Sequence, residues 1–238
     1  MKIYAISDLH LSFSLNKPMH IFGDNWTNHY MKIKVDWYQR VKSDDLVIVA
    51  GDISWAMRMD EARVDLEWID ALPGKKILIK GNHDYWWQSM AKMQGNHPNI
   101  SFILNNYYAD NGIAICGSRG WILPGSDGFL DEDLKVYQRE VQRLERSLRL
   151  AREDESVKEI VVAFHYPPLT INSPENDFTA LLQEFDVKHV VYGHLHDSES
   201  WNQAIRGEFN GIHYHLVSCD FTDFKLIEIP VGQHDQAE

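Results

Sequence analysis

The chain has little of several features that would place it in a specialised class. It contains two cysteines, Cys116 and Cys219, which lack the spacing of a zinc site or a redox pair. We interpret both as buried free thiols. No apolar run approaches the length of a membrane span, and no repeat or low-complexity tract interrupts the sequence. These absences predict an ordinary globular protein with a single domain over residues 1–238.

Basic residues are also scarce. Thirty-five acidic side chains face 23 basic ones, which gives a net charge of −12. Affinity for nucleic acids depends on Lys and Arg contacts to phosphate, so this charge balance argues against a nucleic-acid partner. It does not exclude a local basic groove. No cleavable signal segment precedes Asp8, which predicts a cytoplasmic protein.

Short apolar runs rich in Val and Ile alternate with amphipathic segments. Helices are predicted at 60–72, which ends at Pro73-Gly74, and from Ser173-Pro174, where the serine would cap the helix. The alternation predicts an α/β fold. Strands are predicted at 2–7, 46–50, 76–80, 112–117, 160–164, 189–192, 213–218 and 225–229.

Two segments look like insertions. Residues 11–29 hold Phe13, Phe22 and Trp26 among Gly, Asn and Pro, and together with residues 124–130 they are candidates for selecting a substrate. Residues 131–154 form a long polar helix whose apolar residues recur every three or four positions. That spacing favours packing on the protein's own core, while a cap over a site or a dimer contact are the alternatives.

Polar motifs follow five of the predicted strands. Asp8 and His10 are separated by one residue, which puts both side chains on the same side of an extended chain. Open α/β sheets bind ligands beyond the carboxyl ends of their strands, so we expect these motifs to meet there. The motifs are Asp8-Leu9-His10, Gly51-Asp52, Gly81-Asn82-His83-Asp84, His165 and Gly193-His194-Leu195-His196.

Each motif alone has an ordinary structural explanation, such as a turn at Gly51-Asp52 or a helix cap at Asp84. Their chemistry nevertheless suits a metal site. Asn82 offers a neutral oxygen to a cation, His83 can carry a proton, and Asp84 can orient and support His83. Imidazoles such as those of His194 and His196 are common ligands of transition metals.

Taken together, the five motifs resemble the calcineurin-like metallophosphoesterase superfamily, in particular its bacterial-type phosphohydrolases. The match runs from Asp8 to His196, and every signature position is filled. The resemblance implies a central β-sandwich flanked by helices, in α/β/β/α layers. It assigns Asp8, His10, Asp52 and His196 to one metal ion, and Asp52, Asn82, His165 and His194 to a second ion, with Asp52 bridging.

The resemblance also implies a reaction. A hydroxide shared by two Mn, Fe or Zn ions would attack the phosphorus of a small or medium phosphate mono- or diester. His83 and Asp84 are the candidate catalytic residues, with His83 assisting the leaving group.

Departures from the patterns of known subfamilies argue against some of the subfamilies to which the chain could belong. Protein Ser/Thr phosphatases share a Glu at the position that Asp84 occupies here. Purple acid phosphatases have a Tyr ligand at the position that Trp55 occupies. His83 stands where the lipid A pathway pyrophosphatases carry Arg. A non-catalytic binding scaffold is an alternative, but such proteins lose the histidine that is intact here. A repair-type nuclease is a further alternative, and it predicts a basic groove and added domains.

The remaining histidines have no place in the seven-ligand set. His213 and His215 share a face of one strand and mimic a ligand pair, and we interpret them as packing residues or as residues that support the ligands from behind. No constellation supports His20, His29, His97, His189 or His234.

Overall fold

The computed structural model describes residues 1–93, 95 and 97–232, so His234 lies outside the described residues. Two β-sheets form the centre of the molecule. Their strands are β1 (Ile3–Ile6), β2 (Leu46–Ala50), β3 (Lys75–Ile79), β4 (Ile100–Ile103), β5 (Tyr108–Asp110), β6 (Ile113–Ser118), β7 (Glu159–Phe164), β8 (His189–Tyr192), β9 (Gly207–Phe209), β10 (Ile212–Leu216) and β11 (Ile227–Ile229).

Both sheets are parallel at their centres. The first has the order β11-β1-β2-β3-β4, and the second has the order β5-β6-β7-β8-β10-β9. β11, β5 and β9 are antiparallel edge strands. Each of the eight predicted strands is confirmed, with ends that shift by up to two residues. The parallel centres place the carboxyl ends of several strands at one edge of each sheet.

The two sheets pack face to face through aliphatic side chains. Ile48 and Ile77 from the first sheet meet Ile115, Val161 and Val191 from the second in one buried cluster. Because helices cover the outer faces, the central strands are buried on both sides. This explains why they are continuous apolar runs rather than alternating ones.

Helices flank the sandwich and complete the predicted α/β/β/α order. α1 and α2 bury Trp37 and Leu66 on the outer face of the first sheet, and α4 and α5 bury Leu144 and Phe178 on that of the second. The helices are α1 (His29–Arg40), α2 (Met59–Asp70), the short α3 (Met90–Met93), α4 (Asp133–Glu153), α5 (Asp177–Glu184) and α6 (Ser198–Gln203).

The long helix α4 packs on the protein's own core, as its spacing predicts. Tyr137, Leu144, Leu148 and Ala151 are buried, and the helix contacts β6 and α5. Within the described chain, no membrane-length apolar helix is found.

The predicted start of α5 is wrong by three residues. Asn176, rather than Ser173, caps the helix, and its side-chain oxygen accepts hydrogen bonds from the N–H groups of Phe178 (2.9 Å) and Thr179 (3.3 Å). Ser173 instead closes a turn with Thr170. The short elements β4, β5, β9, α3 and α6 carry too few residues to show a period, so the sequence does not predict them.

Candidate metal centre

All seven predicted ligands lie on loops that follow central parallel strands. Asp8, Asp52 and Asn82 follow β1, β2 and β3 of the first sheet, while His165 and His194 follow β7 and β8 of the second. His10 and His196 extend the first and last of these loops. The site therefore lies where the carboxyl ends of both sheets meet, as expected for an α/β fold.

The backbone is unusual at four of these ligands. Asp8, His10, Asp52 and His194 have φ angles of 60°, 45°, 51° and 73°. Residues other than glycine seldom adopt this left-handed conformation, which is found mainly at turns and functional sites. Among the described residues, four of the ten non-glycine residues with positive φ are predicted ligands, because the chain turns sharply where these side chains are aimed inward.

One group of ligand atoms is formed by Asp8, His10 and His196, which could hold a cation together because these atoms lie within 4.8 Å of one another. The Nε2 atom of His196 is 3.4 Å from Oδ1 of Asp8. His10 Nε2 is 3.8 Å from Oδ2 of Asp52, so Asp52 borders this group. The arrangement brings together the four residues assigned to the first ion.

A second group is formed by Asp8, Asp52 and His165, again within 4.8 Å. His165 Nε2 is 3.4 Å from Asp52 Oδ1 and 2.7 Å from the side-chain oxygen of Asn82. His194 Nδ1 lies 3.3 Å from the same His165 nitrogen. The four residues assigned to the second ion are thus together, and Asp8 approaches them as well.

The donor set fits a pair of borderline divalent ions. Asp8 and Asp52 are buried carboxylates, exposed by 0% and 1%, and such charges are stable only when they are paired or coordinate a metal. The buried Nδ1 of His10 has no hydrogen-bond partner among the described residues. Mixed carboxylate, amide and imidazole donors suit Mn²⁺, Fe and Zn²⁺.

The carboxylates of the site are held ionised. Burial raises the pKa of Asp52, but the positive charges and hydrogen bond offered by His165, together with the charge of His10, lower it to about 2. For Asp8, burial also opposes ionisation, while His196 and His165 lower the pKa well below its usual range. Ionised carboxylates are the form that ligates a cation.

The imidazoles divide into two kinds. Burial lowers the pKa of His10 to about 4 and that of His194 to about 3, which leaves both in the neutral, ligating form. At His196 burial acts in the same direction, but Asp8 and Asp220 raise the pKa to about 11. A proton on His196 and a metal ion therefore compete for the same negative charge.

Asp220 is a site residue that sequence reasoning missed. Its carboxylate lies 3.1 Å from Nδ1 of His196, which leaves Nε2 directed at Asp8. A carboxylate behind a ligating imidazole fixes the ring and makes it a better ligand. Asp220 comes shortly after β10, so the strand-end criterion that found Asp52 could also have found Asp220.

Asp84 lies behind the site and joins two of its loops. Its carboxylate accepts hydrogen bonds from the backbone N–H groups of Ile53, Ser54 and Gly81 and from the indole of Trp86. Burial and the charge of Asp52 raise the pKa of Asp84 to about 6, against the backbone N–H donors. Among the described residues, none of its hydrogen bonds reaches the His83 ring, so the expected support of His83 runs through the backbone.

His83 lies beside the predicted ligands. Its backbone N–H donates to Asp52 Oδ1 (2.9 Å), and its Nε2 lies 3.9 Å from Asp52 Oδ2. The side chain is 35% exposed, and its ring packs against Trp55 with the centroids 4.5 Å apart. His83 is therefore anchored at its backbone while its ring faces open space next to the ligand set.

That open space is a cavity of about 330 Å³. Met19, Phe22 and Trp26 form an apolar wall that comes from the inserted segment 11–29, and the indole of Trp55 donates to the sulfur of Met19 (3.1 Å). Neither 124–130 nor α4 contributes to the described lining. The full lining is His10, Met19, Phe22, Trp26, Asp52, Trp55, His83, His194 and His196.

The other residues set aside in the sequence lie elsewhere. Cys116 and Cys219 are buried free thiols, as predicted. His213 and His215 lie on β10 and contact His189, the first residue of β8, whereas the site follows the last residue of β8. They are not part of the centre described above.

Comparisons with known proteins agree with this geometry. The structure resembles that of a phosphopantetheinyl hydrolase from Mycobacterium tuberculosis (TM-score 0.54, 16% identity, 98% of each chain covered). It also resembles a protein of unknown function from Aquifex aeolicus (TM-score 0.50, 15% identity, 95% of each chain). At these identities the likeness shows the fold alone.

Two sequence matches are more direct. The Gene 66 protein of Mycobacterium phage L5 is 35% identical over 78 residues, which are 33% of this chain and 37% of that protein. The match thus spans little more than a third of that relative's length. The family model described as calcineurin-like phosphoesterase matches residues 1–198, which include all seven predicted ligands. This match covers most of the chain, and the chain belongs to the calcineurin-like phosphoesterase family.

Proposed function

We propose that the protein is a binuclear metal-dependent phosphohydrolase that cleaves a small or medium phosphate mono- or diester. Asp8, His10, Asp52 and His196 would hold one ion, with Asp52 shared. Asn82, His165 and His194 would complete the second site. The two ions would supply Lewis-acid stabilisation of the phosphate charge and an activated water as nucleophile.

Electrostatics support an anionic substrate. Two carboxylates, Asp8 and Asp52, face roughly four positive charges from two divalent ions, so the loaded site is electropositive and attracts phosphate. The surface as a whole is acidic, with a net charge of −12. A compact phosphate ester that enters the cavity is favoured over a nucleic acid, which would need an extended basic surface.

The position of His83 carries the proposal. The ring opens into the same cavity as His10, Asp52, His194 and His196, but its Nε2 is 3.9 Å from Asp52 Oδ2 rather than within the ligand groups. An imidazole placed there can donate a proton to the departing alkoxide. A non-catalytic scaffold would not require a proton donor facing the space where a phosphate would bind.

Residues of both sheets form the proposed site. Asp8 and Asp52 come from the first sheet, and His165 and His194 come from the second, with His194 Nδ1 only 3.3 Å from His165 Nε2. We therefore propose that the two sheets work as one domain, since neither sheet holds the ligand set alone.

The test compares wild-type protein with His83→Ala after reconstitution with Mn²⁺. Hydrolysis of p-nitrophenyl phosphate and bis-p-nitrophenyl phosphate is measured for both proteins. Phenyl phosphate is measured as well, because its more basic leaving group needs a proton. Loss of general acid catalysis should reduce kcat by about 10²–10⁴-fold on phenyl phosphate and by much less on the two nitrophenyl esters. Preference for the diester or the monoester in the wild type then assigns the substrate type.

The matched control is His20→Ala, which removes an exposed histidine that is not part of the ligand set. It should leave kcat unchanged, and both variants should bind as much Mn²⁺ as the wild type. Full activity of His83→Ala on phenyl phosphate would contradict the proposed role of His83 as general acid. Absence of turnover by the wild type on both esters, with metal bound, would contradict a general phosphohydrolase.

A further inference from the structure

Three histidines gather on one face of the second sheet, at the end of β8 remote from the metal centre. His189 begins β8, and His213 and His215 lie two residues apart on the neighbouring strand β10. His213 pairs directly with His189 in the parallel register. Residues two apart on a strand, and residues opposite each other on paired strands, project from the same face. The sheet therefore presents three imidazoles together.

The spacing of the first two rings matches a shared ion. His189 Nδ1 lies 3.3 Å from His215 Nε2. Two nitrogens that are each about 2.0–2.1 Å from a tetrahedral zinc ion are roughly 3.3 Å apart. His213 is exposed and stacks on His189 with the ring centroids 5.5 Å apart. A shared ion would require the exposed ring of His213 to turn from this stacked position toward the pair.

Carboxylates surround the cluster on the adjoining strands. His189 Nε2 is 4.0 Å from Oε1 of Glu159 on β7, which places an acidic group behind the ring whose other nitrogen faces His215. Ligating histidines usually have such a partner on their second nitrogen. Glu208 on β9 pairs with His213 in the antiparallel register and offers a further carboxylate on the same face.

The chemical state of the rings agrees with this geometry. Burial lowers the pKa of His215 to about 4, and the neighbouring histidines act in the same direction. Burial also lowers the pKa of His189, although Glu159 opposes it. Both rings are therefore neutral near pH 7, as a metal ligand must be.

We propose that His189, His213 and His215 form a second, independent metal site that binds a single Zn²⁺ ion and links β8 to β10. Imidazole ligands suit borderline ions such as zinc, and the site lies apart from the residues proposed for hydrolysis. The ion would join two strands through their side chains. The proposal does not depend on the phosphohydrolase activity.

The test counts bound zinc. Chelator-treated protein is dialysed to equilibrium against Zn²⁺, and the metal content per chain is measured by atomic emission for wild type, His213→Ala, His215→Gln and His20→Ala. The two cluster variants should bind one zinc ion fewer than the wild type. His20→Ala, which removes a histidine outside the cluster, should match the wild type. Mn²⁺-dependent hydrolysis should be unaffected in all three variants.

A second measurement does not rely on the variants folding. Anomalous diffraction at the zinc edge from wild-type crystals grown with Zn²⁺ should place a peak between His189 and His215. Equal zinc content in the wild type and in a folded His213→Ala variant, or no anomalous peak at the cluster, would overturn the proposal. Either result leaves the proposed hydrolysis untouched, because that activity is measured with Mn²⁺ and His83.

Discussion

The carboxylate of Asp84 accepts a 2.9 Å hydrogen bond from the backbone N–H of Ile53, which joins the loop after β3 to the loop after β2. The same carboxylate accepts from Gly81 N (2.7 Å). Asp52 and His83 lie on these two loops, and this contact fixes their positions relative to each other. Asp84 therefore acts as a positioning residue, while His83 is the group that faces the cavity.

Replacement of Asp84 by Asn tests this role. The amide keeps the shape of the carboxylate but turns an N–H group toward one of the four donors, so a buried donor loses its acceptor. We expect the free energy of unfolding to fall by roughly 1–3 kcal/mol and hydrolysis to decrease with it. Urea denaturation measures the first effect. Asp131→Asn, at an exposed position, is the control, and equal stability of the two variants would contradict the role of Asp84.

Gly81→Ala tests the close approach of the loops. A Cβ at Gly81 would overlap the backbone nitrogen and Oδ1 of Asp52, which we propose as the ligand shared by the two ions. We expect loss of most Mn²⁺ binding and hydrolysis, measured by metal content and kcat. Gly125→Ala is the control, since its Cβ meets no atom within 4 Å although its φ of +84° is also unfavourable for alanine. Normal metal binding by Gly81→Ala would show that the loops can separate without harm.

Removal of divalent ions should destabilise the protein. Asp8 and Asp52 are buried beside four imidazoles, and a bound cation neutralises their repulsion. At an ion concentration of 100 times the Kd, binding should add about 2.7 kcal/mol to the free energy of unfolding for one site. Thermal unfolding with chelator and with excess Mn²⁺ measures the shift in Tm. Asp52→Asn should show a much smaller shift, and an unchanged Tm in the wild type would argue against the metal centre.

Phe22→Ala tests the apolar wall of the cavity. The ring lines the cavity yet is 62% exposed, so its removal should leave the fold intact. Loss of contact with an apolar leaving group should weaken substrate binding by roughly 1 kcal/mol. KM should therefore rise about fivefold, with little change in kcat. Ile21→Ala removes a neighbouring side chain that is 68% exposed and does not line the cavity, and its kinetics should match the wild type. An equal effect of both variants would show that the apolar wall does not contact the substrate.

Lys76 should make stability depend on pH in the alkaline range. Its ammonium donates to the carbonyl groups of Leu72 (2.6 Å) and Gly74 (2.8 Å), and burial lowers its pKa from 10.5 to about 8. Between these pH values the unfolded chain binds more protons than the folded chain, so the free energy of unfolding should rise with pH. We expect a rise of about 1–2 kcal/mol after solvent screening.

The measurement compares urea denaturation of wild type and Lys76→Met at several pH values from 8 to 10.5. The methionine variant lacks the titrating group, so its free energy of unfolding should lack this rise. Parallel curves for the two proteins would show that the Lys76 amine titrates normally in the fold.

The central strands were predictable because they are buried on both faces. Runs such as 46–50 and 160–164 are apolar without alternation, and both form central parallel strands. The short strands β5 and β9 lie at sheet edges, where tertiary pairing rather than local pattern determines them. The start of α5 was mispredicted because Asn176 and Thr179 form a reciprocal cap that competes with Ser173.

The sequence by itself determined which polar residues gather at one end of the sheets, because polar groups placed directly after buried strands must appear at one edge of a parallel sheet. Only the tertiary structure decided that His165 and His194 of one sheet meet Asp52 of the other, since no local rule sets how two sheets pack. It also decided that Asp84 ties loops together, that Asp220 orients His196, and that Met19, Phe22 and Trp26 face the cavity. These relationships join residues far apart in the chain, and they form when the hydrophobic faces of the sheets and helices are buried together.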